Sequence, residues 1–314
     1  MHTSMVSDDH NHRGPSKKSL FLEQIEGYEK SKRLSKQFGV GLNADSPMVI
    51  SVKQLASIYG DAAAEKALRG GRLILLCSDD RVTPPEDEEG KKAWVKFGLP
   101  GSGKLIPPAK RTKFFANLHQ TLGNDLEAST YHYECGACQG DLKEAKAVGE
   151  EAHAALGLKT PLLVSGYTPD AKLKMSGDPH FHEGLGFVIS DQPQFNAAAL
   201  GMERHMHLGA SAFEDTEEGN AMLNEQAQAL FNILMGHGWG QDGFAEHPLQ
   251  IKIVGDPNNA KNSASRLWER LKPTRAELLT LQKRYQHDHE ERHEHDTKLF
   301  DTVVFDAPYK PSEN

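Results

Sequence analysis

Two cysteines and one histidine in the first half of the chain have the residue types and spacing of a metal site. Cys77 ends the apolar run at residues 73–76 and opens the sequence Cys-Ser-Asp-Asp-Arg, while His132 and Cys135 lie in the segment His-Tyr-Glu-Cys-Gly. Two thiolates and one imidazole are a ligand set for zinc, and three protein ligands leave a fourth position for water. Because sites with an open position do chemistry, the sequence predicts a catalytic site with Zn²⁺ as its cofactor.

The composition is that of a globular protein and excludes several classes of partner. The 314 residues, 38% hydrophobic and 25% charged, are enough for one large domain or two small ones. A net charge of -8 gives no basic surface for nucleic acid. No apolar run approaches the roughly 20 residues that cross a bilayer, and the polar N-terminus does not resemble a secretory signal. The 3 cysteines argue against a disulfide framework, so we expect a cytoplasmic protein.

Strand and helix patterns alternate along the chain. A capping box at Ser51 and Gln54 starts a helix that Gly70 and Gly71 end, and the continuous apolar run at residues 72–77 follows at once. A continuous run is typical of a parallel sheet that is covered on both faces. Further strands are expected at residues 93–97, 128–133, 161–167, 186–190 and 250–254, and further helices at residues 19–37, 109–122, 139–156, 220–235 and 273–299.

This alternation predicts an α/β fold with a mainly parallel β-sheet flanked by helices and an extra helical region at the C-terminus. Residues 1–45 are expected to form a flexible tail and a helical arm, residues 46–260 the zinc-binding domain, and residues 261–314 a C-terminal helix and tail. No internal repeat is visible. Ligands bind at the carboxyl ends of the strands in such sheets, where Cys77 and His132 both lie. Two strands adjacent in space would therefore bring these ligands together.

The two motifs together resemble those of the β-class carbonic anhydrases. That family carries Cys-x-Asp-x-Arg at the end of one strand and His-x-x-Cys-Gly at the end of the next, and here the two motifs begin 55 positions apart. The resemblance covers about residues 50–170. It implies a β-carbonic-anhydrase-like fold in which the cysteines and the histidine bind zinc, with Asp79 and Arg81 as the catalytic pair beside the metal. In that family the aspartate either accepts a hydrogen bond from zinc-bound water or ligates zinc, and the arginine decides which. The alternative for this pair is a surface ion pair, which contributes little.

The resemblance implies hydration of CO2 to bicarbonate by zinc-bound hydroxide. It also implies a homodimer or a dimer of dimers, in which we expect the N-terminal helix to reach across to the neighbour. One stretch departs from the family, because residues 96–101 are Lys-Phe-Gly-Leu-Pro-Gly where an Arg-Asn-Ala-Gly-Asn loop is usual. That loop, including Phe97 and Gly101, shapes the substrate pocket. Hydrolysis of carbonyl sulfide or carbon disulfide is therefore an alternative, and so is a non-catalytic zinc protein of the same fold.

Three further patterns have competing explanations. Residues 98–104 match the first seven positions of a P-loop, but Leu105 stands where Mg²⁺ needs a hydroxyl, so we expect a flexible loop over the site instead. Cys135 and Cys138 form a Cys-x-x-Cys motif, in which we expect Cys138 to be a packed residue of the following helix rather than a redox partner or a zinc ligand. The histidine pairs at 180 and 182, 205 and 207, and 289 and 293 could bind a second metal, although we expect solvated side chains.

Overall fold

The computed structural model describes residues 25–86, 88–176, 186–237, 248–289 and 299–308. These residues form two five-stranded parallel sheets flanked by helices, which confirms the predicted α/β class. The strands are β1 (Val49–Ile50), β2 (Arg72–Cys77), β3 (Trp94–Leu99), β4 (Leu126–His132), β5 (Leu163–Gly166), β6 (Leu173–Lys174), β7 (Gly186–Ser190), β8 (Met206–Gly209), β9 (Leu249–Gly255) and β10 (Phe300–Asp306). The helices are α1 (Ile25–Phe38), α2 (Val52–Tyr59), α3 (Asp61–Arg69), α4 (Pro108–Leu122), α5 (Leu142–Ala155), α6 (Glu217–His237), α7 (Ala264–Arg270) and α8 (Lys272–His289).

The first sheet has the strand order β3-β2-β4-β5-β6, so β2 lies between β3 and β4. The side chains of β2 are buried on both faces, as its continuous apolar pattern predicts. Leu75 packs in one core cluster with Phe115 of α4, and Leu76 packs in another with Ala145 of α5. Because β2 pairs with β4 in parallel, the carboxyl ends of these two strands adjoin.

The second sheet has the order β8-β7-β9-β10-β1 and repeats the topology of the first. In the first sheet, β2 lies between β3 and β4, and β5 lies next to β4. In the second sheet, β7 lies in the same way between β8 and β9, and β10 lies next to β9. We call β2 to β5 the first repeat unit and β7 to β10, with the segments that connect them, the second repeat unit. The chain therefore contains an internal repeat of strand order that the sequence did not reveal. The fifth position differs, because β6 follows β5 in the chain, whereas β1 comes from the N-terminal part.

The edge strands β3 and β8 bring the two sheets into close contact. A Cβ atom on Gly98 would lie 2.3 Å from the carbonyl oxygen of His207, and one on Gly209 would lie 2.3 Å from a ring carbon of Phe97. The His207 amide donates to the carbonyl of Ser78 at 3.2 Å. Side chains of both sheets also share one core cluster, so the two sheets pack against each other.

Several elements differ from the sequence expectations. The capping box at Ser51 is confirmed, but Gly60, at φ 90°, divides the expected helix into α2 and α3. A strand, β10, follows α8 where a tail was expected, and it pairs with β9 and β1. The expected boundary between residues 260 and 261 therefore runs through the second sheet. No helix in the described ranges is long and apolar enough to span a membrane.

The described part of the expected N-terminal arm packs on its own chain. Helix α1 lies against β9 and β10, and its residues Tyr28 and Leu34 are buried. The hydroxyls of Ser31 and Ser35 donate to Oε1 of Gln250 at 3.1 and 2.9 Å. The described part of this helix therefore covers the second sheet of its own chain.

Candidate metal centre

The three predicted ligands meet where the first sheet presents its carboxyl edge. Cys77 is the last residue of β2 and His132 is the last residue of β4, while Cys135 follows in the turn that leads to a short 3-10 helix, Gly136–Cys138. One ligand atom of each side chain lies within 4.8 Å of the other two, and all three residues are buried. The local strand pairing thus brings together three ligand groups that are distant in sequence. We call them the metal centre.

The histidine of this centre is arranged as a metal ligand would be. Nδ1 of His132 lies 2.8 Å from the backbone carbonyl of Tyr133, so this nitrogen carries the proton and donates it. Nε2 is buried and has no hydrogen-bond partner within the described parts of the chain. A buried nitrogen lone pair without a donor is rare, and an imidazole whose Nδ1–H is held by a carbonyl is the usual form of a metal-bound histidine. The residues therefore fit a metal ion.

The charges in the centre also favour a cation. The hydrogen bond from Cys135 and the nearby His132 hold the pKa of Cys77 well below that of an ordinary thiol. Hydrogen bonds with Cys138 and Cys77, together with burial, raise the pKa of Cys135 well above that of an ordinary thiol. Burial alone would lower the pKa of His132. The charge of the Cys77 thiolate and its hydrogen bond with His132 act in the opposite direction, and the net effect is that the pKa of His132 is raised. Without a metal, ionisation of one of these two thiols opposes ionisation of the other, because two adjacent buried negative charges repel each other. A bound cation removes that conflict.

The loop after β3 is a buried turn, not the flexible loop that the sequence suggested. Pro100, Gly101 and Ser102 form a 3-10 turn in which all three residues are buried. The amide of Gly101 donates to the sulfur of Cys77 at 3.2 Å, and Ser102 Oγ donates to the carbonyl of Thr130 at 2.8 Å. This turn therefore supports the Cys77 sulfur through the same Gly-rich residues that resemble a phosphate-binding loop.

Gly101 is expected to be intolerant of even a methyl group. It has φ +56°, and a Cβ atom there would lie 2.8 Å from Cβ of Ala137 and 3.5 Å from the Cys135 sulfur. Gly101→Ala should displace the amide that supports Cys77 and weaken metal binding by about 10-fold or more, as for other groups that orient metal ligands. Equilibrium dialysis against a competing chelator measures this effect. Gly136→Ala is the matched control, since no described atom apart from those of its two chain neighbours lies within 4 Å of its Cβ position. Equal affinities of the two variants would contradict the role given to Gly101.

Asp79 and Arg81 form a buried ion pair beside the metal centre. Nε of Arg81 lies 3.0 and 3.2 Å from the two carboxylate oxygens of Asp79, and Nη2 lies 2.6 Å from Oδ2. The side chains of Arg81 and Asp79 are only 5% and 6% exposed, respectively, which rules out the surface ion pair. Burial alone would lower the pKa of Arg81, but the adjacent carboxylate raises it. The charge of Asp79 opposes the lowering of the Cys77 pKa and adds to the raising of the His132 pKa, so its carboxylate acts on both of these side chains.

The other predicted candidates lie elsewhere or play a different part. Cys138 is buried in the 3-10 turn before α5 and belongs to no ligand group of the described residues, although its thiol contacts Cys135. His205 and His207 are buried, not solvated as expected, because β8 packs against β3. Burial lowers the pKa of His205 to about 3 and that of His207 well below its usual value, so both are neutral. The pair at 180 and 182, His293 and the side chain of His289 lie outside the described residues.

Three charged residues near the pair were missed by the sequence analysis. Lys96 is buried, and its ammonium donates to the carbonyl of Asp79 at 2.6 Å. Asp80 is fully buried and pairs with Nη2 of Arg204 at 3.0 Å. A lysine within the apolar strand β3 could have indicated an internal role for Lys96. No local pattern marks Arg204, because its contact with Asp80 depends on how the two sheets pack.

The corresponding edge of the second sheet holds an ion pair instead of ligands. Asp191 follows β7, as Ser78 follows β2, and Nη1 of Arg270 lies 3.3 Å from its Oδ2. Both side chains are buried, and burial raises the pKa of Asp191 to about 7 although Arg270 opposes that shift. Among the described residues, the metal centre of the first sheet is the one cluster of three or more possible ligands.

Known proteins give no further guide to this site. No family model matches the chain, and no curated protein or solved structure matches it either. The chemistry of the site is therefore inferred from its own side chains and their arrangement.

Proposed function

We propose that this chain is a carbonic anhydrase-like lyase, a zinc enzyme that hydrates CO2 to bicarbonate. The buried cluster of Cys77, His132 and Cys135, with the Asp79–Arg81 pair beside it, carries the proposal. Two thiolates and one imidazole suit zinc and leave its fourth tetrahedral position open. When bound there, zinc supplies a Lewis acid that lowers the pKa of water from about 15.7 to about 7.

The ligands are prepared for this task by their backbone contacts. The Gly101 amide donates to the Cys77 sulfur, and the Tyr133 carbonyl fixes the His132 ring so that Nε2 faces the cluster. Such contacts orient the ligands and stabilise the charge on sulfur. The burial of all three ligands excludes bulk water from the centre, which strengthens each electrostatic interaction within it. An uncharged, linear molecule such as CO2 can enter this environment without losing a strong hydration shell.

Asp79 supplies the hydrogen-bond acceptor of the site. Arg81 donates to both carboxylate oxygens through its side chain and to Oδ1 through its backbone amide at 2.9 Å. These charge-assisted bonds hold the carboxylate in one orientation. In the proposed reaction, Asp79 accepts a hydrogen bond from the attacking water. This bond orients the water so that a lone pair of the water oxygen points at the carbon of CO2. Arg81 prevents the same carboxylate from approaching the ligands.

A stopped-flow CO2 hydration assay on the zinc-loaded protein tests the proposal. We expect turnover that disappears when a chelator removes the metal and returns when zinc is added. Activity should rise from pH 6 to pH 9, because the nucleophile forms as a proton leaves the coupled site. Parallel assays with carbonyl sulfide and carbon disulfide test the altered loop at residues 96–101. Hydrolysis of either compound without CO2 hydration would replace the proposed substrate, and inactivity with all three would leave a zinc protein without this catalysis.

A homodimer stays a prediction of the family resemblance. The two sheets of one chain already contact each other through β3 and β8, and α1 covers the second sheet of its own chain. Light scattering at micromolar concentration decides the question, because a monomer would have a mass near 34.7 kDa.

The three free cysteines fit the reducing cytoplasm, which we propose as the compartment.

A further inference from the structure

The turn that carries Asp79 and Arg81 is held from behind by the second sheet. Residues 204–207, which include the start of β8, contact this turn at several points through their backbone and side chains. The amide of His207 donates to the carbonyl of Ser78 at 3.2 Å, immediately before Asp79. Nη2 of Arg204 donates to the carboxylate of Asp80 at 3.0 Å, immediately after it. The second sheet therefore touches the chain on both sides of the proposed acceptor.

Lys96 completes this support. Its ammonium donates to the carbonyls of Asp79 at 2.6 Å, Val82 at 2.9 Å and His205 at 3.3 Å. Three acceptors satisfy all three N–H groups of a lysine, so the side chain ties the turn to the segment before β8. Consecutive side chains diverge here: Asp79 pairs with Arg81 next to the ligands, whereas Asp80 pairs with Arg204 of the second repeat unit. The position of Asp79 is thus fixed by its neighbours on the opposite side of the backbone.

We infer that Arg204 is a positioning residue, which acts through Asp80 to keep the Asp79 carboxylate on Arg81 and away from the metal. The second repeat unit, which has no ligand cluster among its described residues, then serves the site of the first unit as a rigid support. This inference rests on the proposed function, because it assigns the support a role in keeping the fourth metal position open. Without the support, the turn relaxes and Asp79 becomes a competing ligand.

The test removes both charges of the supporting pair, because a single change would leave a buried charge unpaired. The variant is Asp80→Asn/Arg204→Met in the full chain, with cobalt in place of zinc and azide as the probe of the open position. Azide binding is followed through the visible spectrum of cobalt at one fixed pH. We expect the variant to hold one cobalt per chain and to bind azide at least tenfold more weakly. Adding Asp79→Ala to this variant should restore azide binding to within about twofold of the wild type.

The matched control is Asp191→Asn/Arg270→Met, which removes a buried ion pair from the corresponding edge of the second sheet. It should leave the azide affinity unchanged. Unchanged azide binding in the Asp80/Arg204 variant, loss of its cobalt, or no rescue by Asp79→Ala would each overturn the inference. Failure of the proposed function would give different results. If the wild-type protein binds no cobalt, both the proposed function and the role of Arg204 are wrong. If the wild-type protein binds cobalt and azide but does not hydrate CO2, only the proposed reaction is wrong, and the azide experiment still tests the role of Arg204.

Discussion

Cys77→Ser should remove most of the metal from the protein. A serine hydroxyl stays neutral near pH 7, whereas the Cys77 thiol is already inclined to ionise beside Cys135 and His132. Substitutions of groups that only orient ligands weaken metal binding by about 10- to 100-fold, so loss of a thiolate ligand should exceed about 100-fold. Elemental analysis after dialysis against a weak chelator measures the occupancy, with one zinc per chain expected for the wild type.

Cys138→Ser provides the matched control for this experiment. Both cysteines are buried and contact Cys135, but only Cys77 belongs to the ligand cluster. The control should keep its zinc and its fold, as judged by circular dichroism. Full zinc occupancy in Cys77→Ser would refute the ligand set. Equal zinc loss in both variants would show that Cys138 also holds the metal and that the centre is closed by four protein ligands.

The clustering of the three possible metal ligands could be predicted because each of them follows from a local pattern. The apolar run of β2 identifies a buried parallel strand, and the pattern before His132 identifies another. Parallel strands place their carboxyl ends at one edge of the sheet, so two local patterns are enough to bring Cys77 and His132 together. Cys135 then follows within one turn. Each step depends on residues that are close together in sequence.

The second sheet could not be predicted in the same way. Its strand order repeats that of the first, yet β8 has only four residues and β10 follows a long polar helix. Pairing between distant parallel strands leaves no short-range pattern in the sequence. The burial of His205 and His207 and the contact of Arg204 with Asp80 both result from the packing of β3 against β8. The sequence therefore indicated the clustered cysteine and histidine side chains but not the contacts that the second sheet makes with the turn after β2.

Asp79→Ala should abolish most CO2 hydration while the protein keeps its zinc. The carboxylate lies beside the ligands without belonging to their cluster, so its loss should cost orientation of the nucleophile more than metal affinity. Positioned groups that accept a proton or hydrogen bond typically contribute about 10²- to 10⁴-fold to the rate. Arg81→Ala should also lose activity, because the freed carboxylate can then occupy the open position. Stopped-flow assays and elemental analysis of the same samples separate these effects.

The two single variants each leave a buried charge without its partner, which can cost about 3–5 kcal/mol of stability. The double variant Asp79→Ala/Arg81→Met removes both charges and shows whether activity is lost in a well-folded protein. Glu65→Ala/Arg69→Ala removes an exposed ion pair on α3 and should leave the rate unchanged. Inactivity of Asp79→Ala and of the double variant with zinc retained would support the assigned role. Near-normal hydration by Asp79→Ala and Arg81→Ala would show that the buried pair only stabilises the turn after β2.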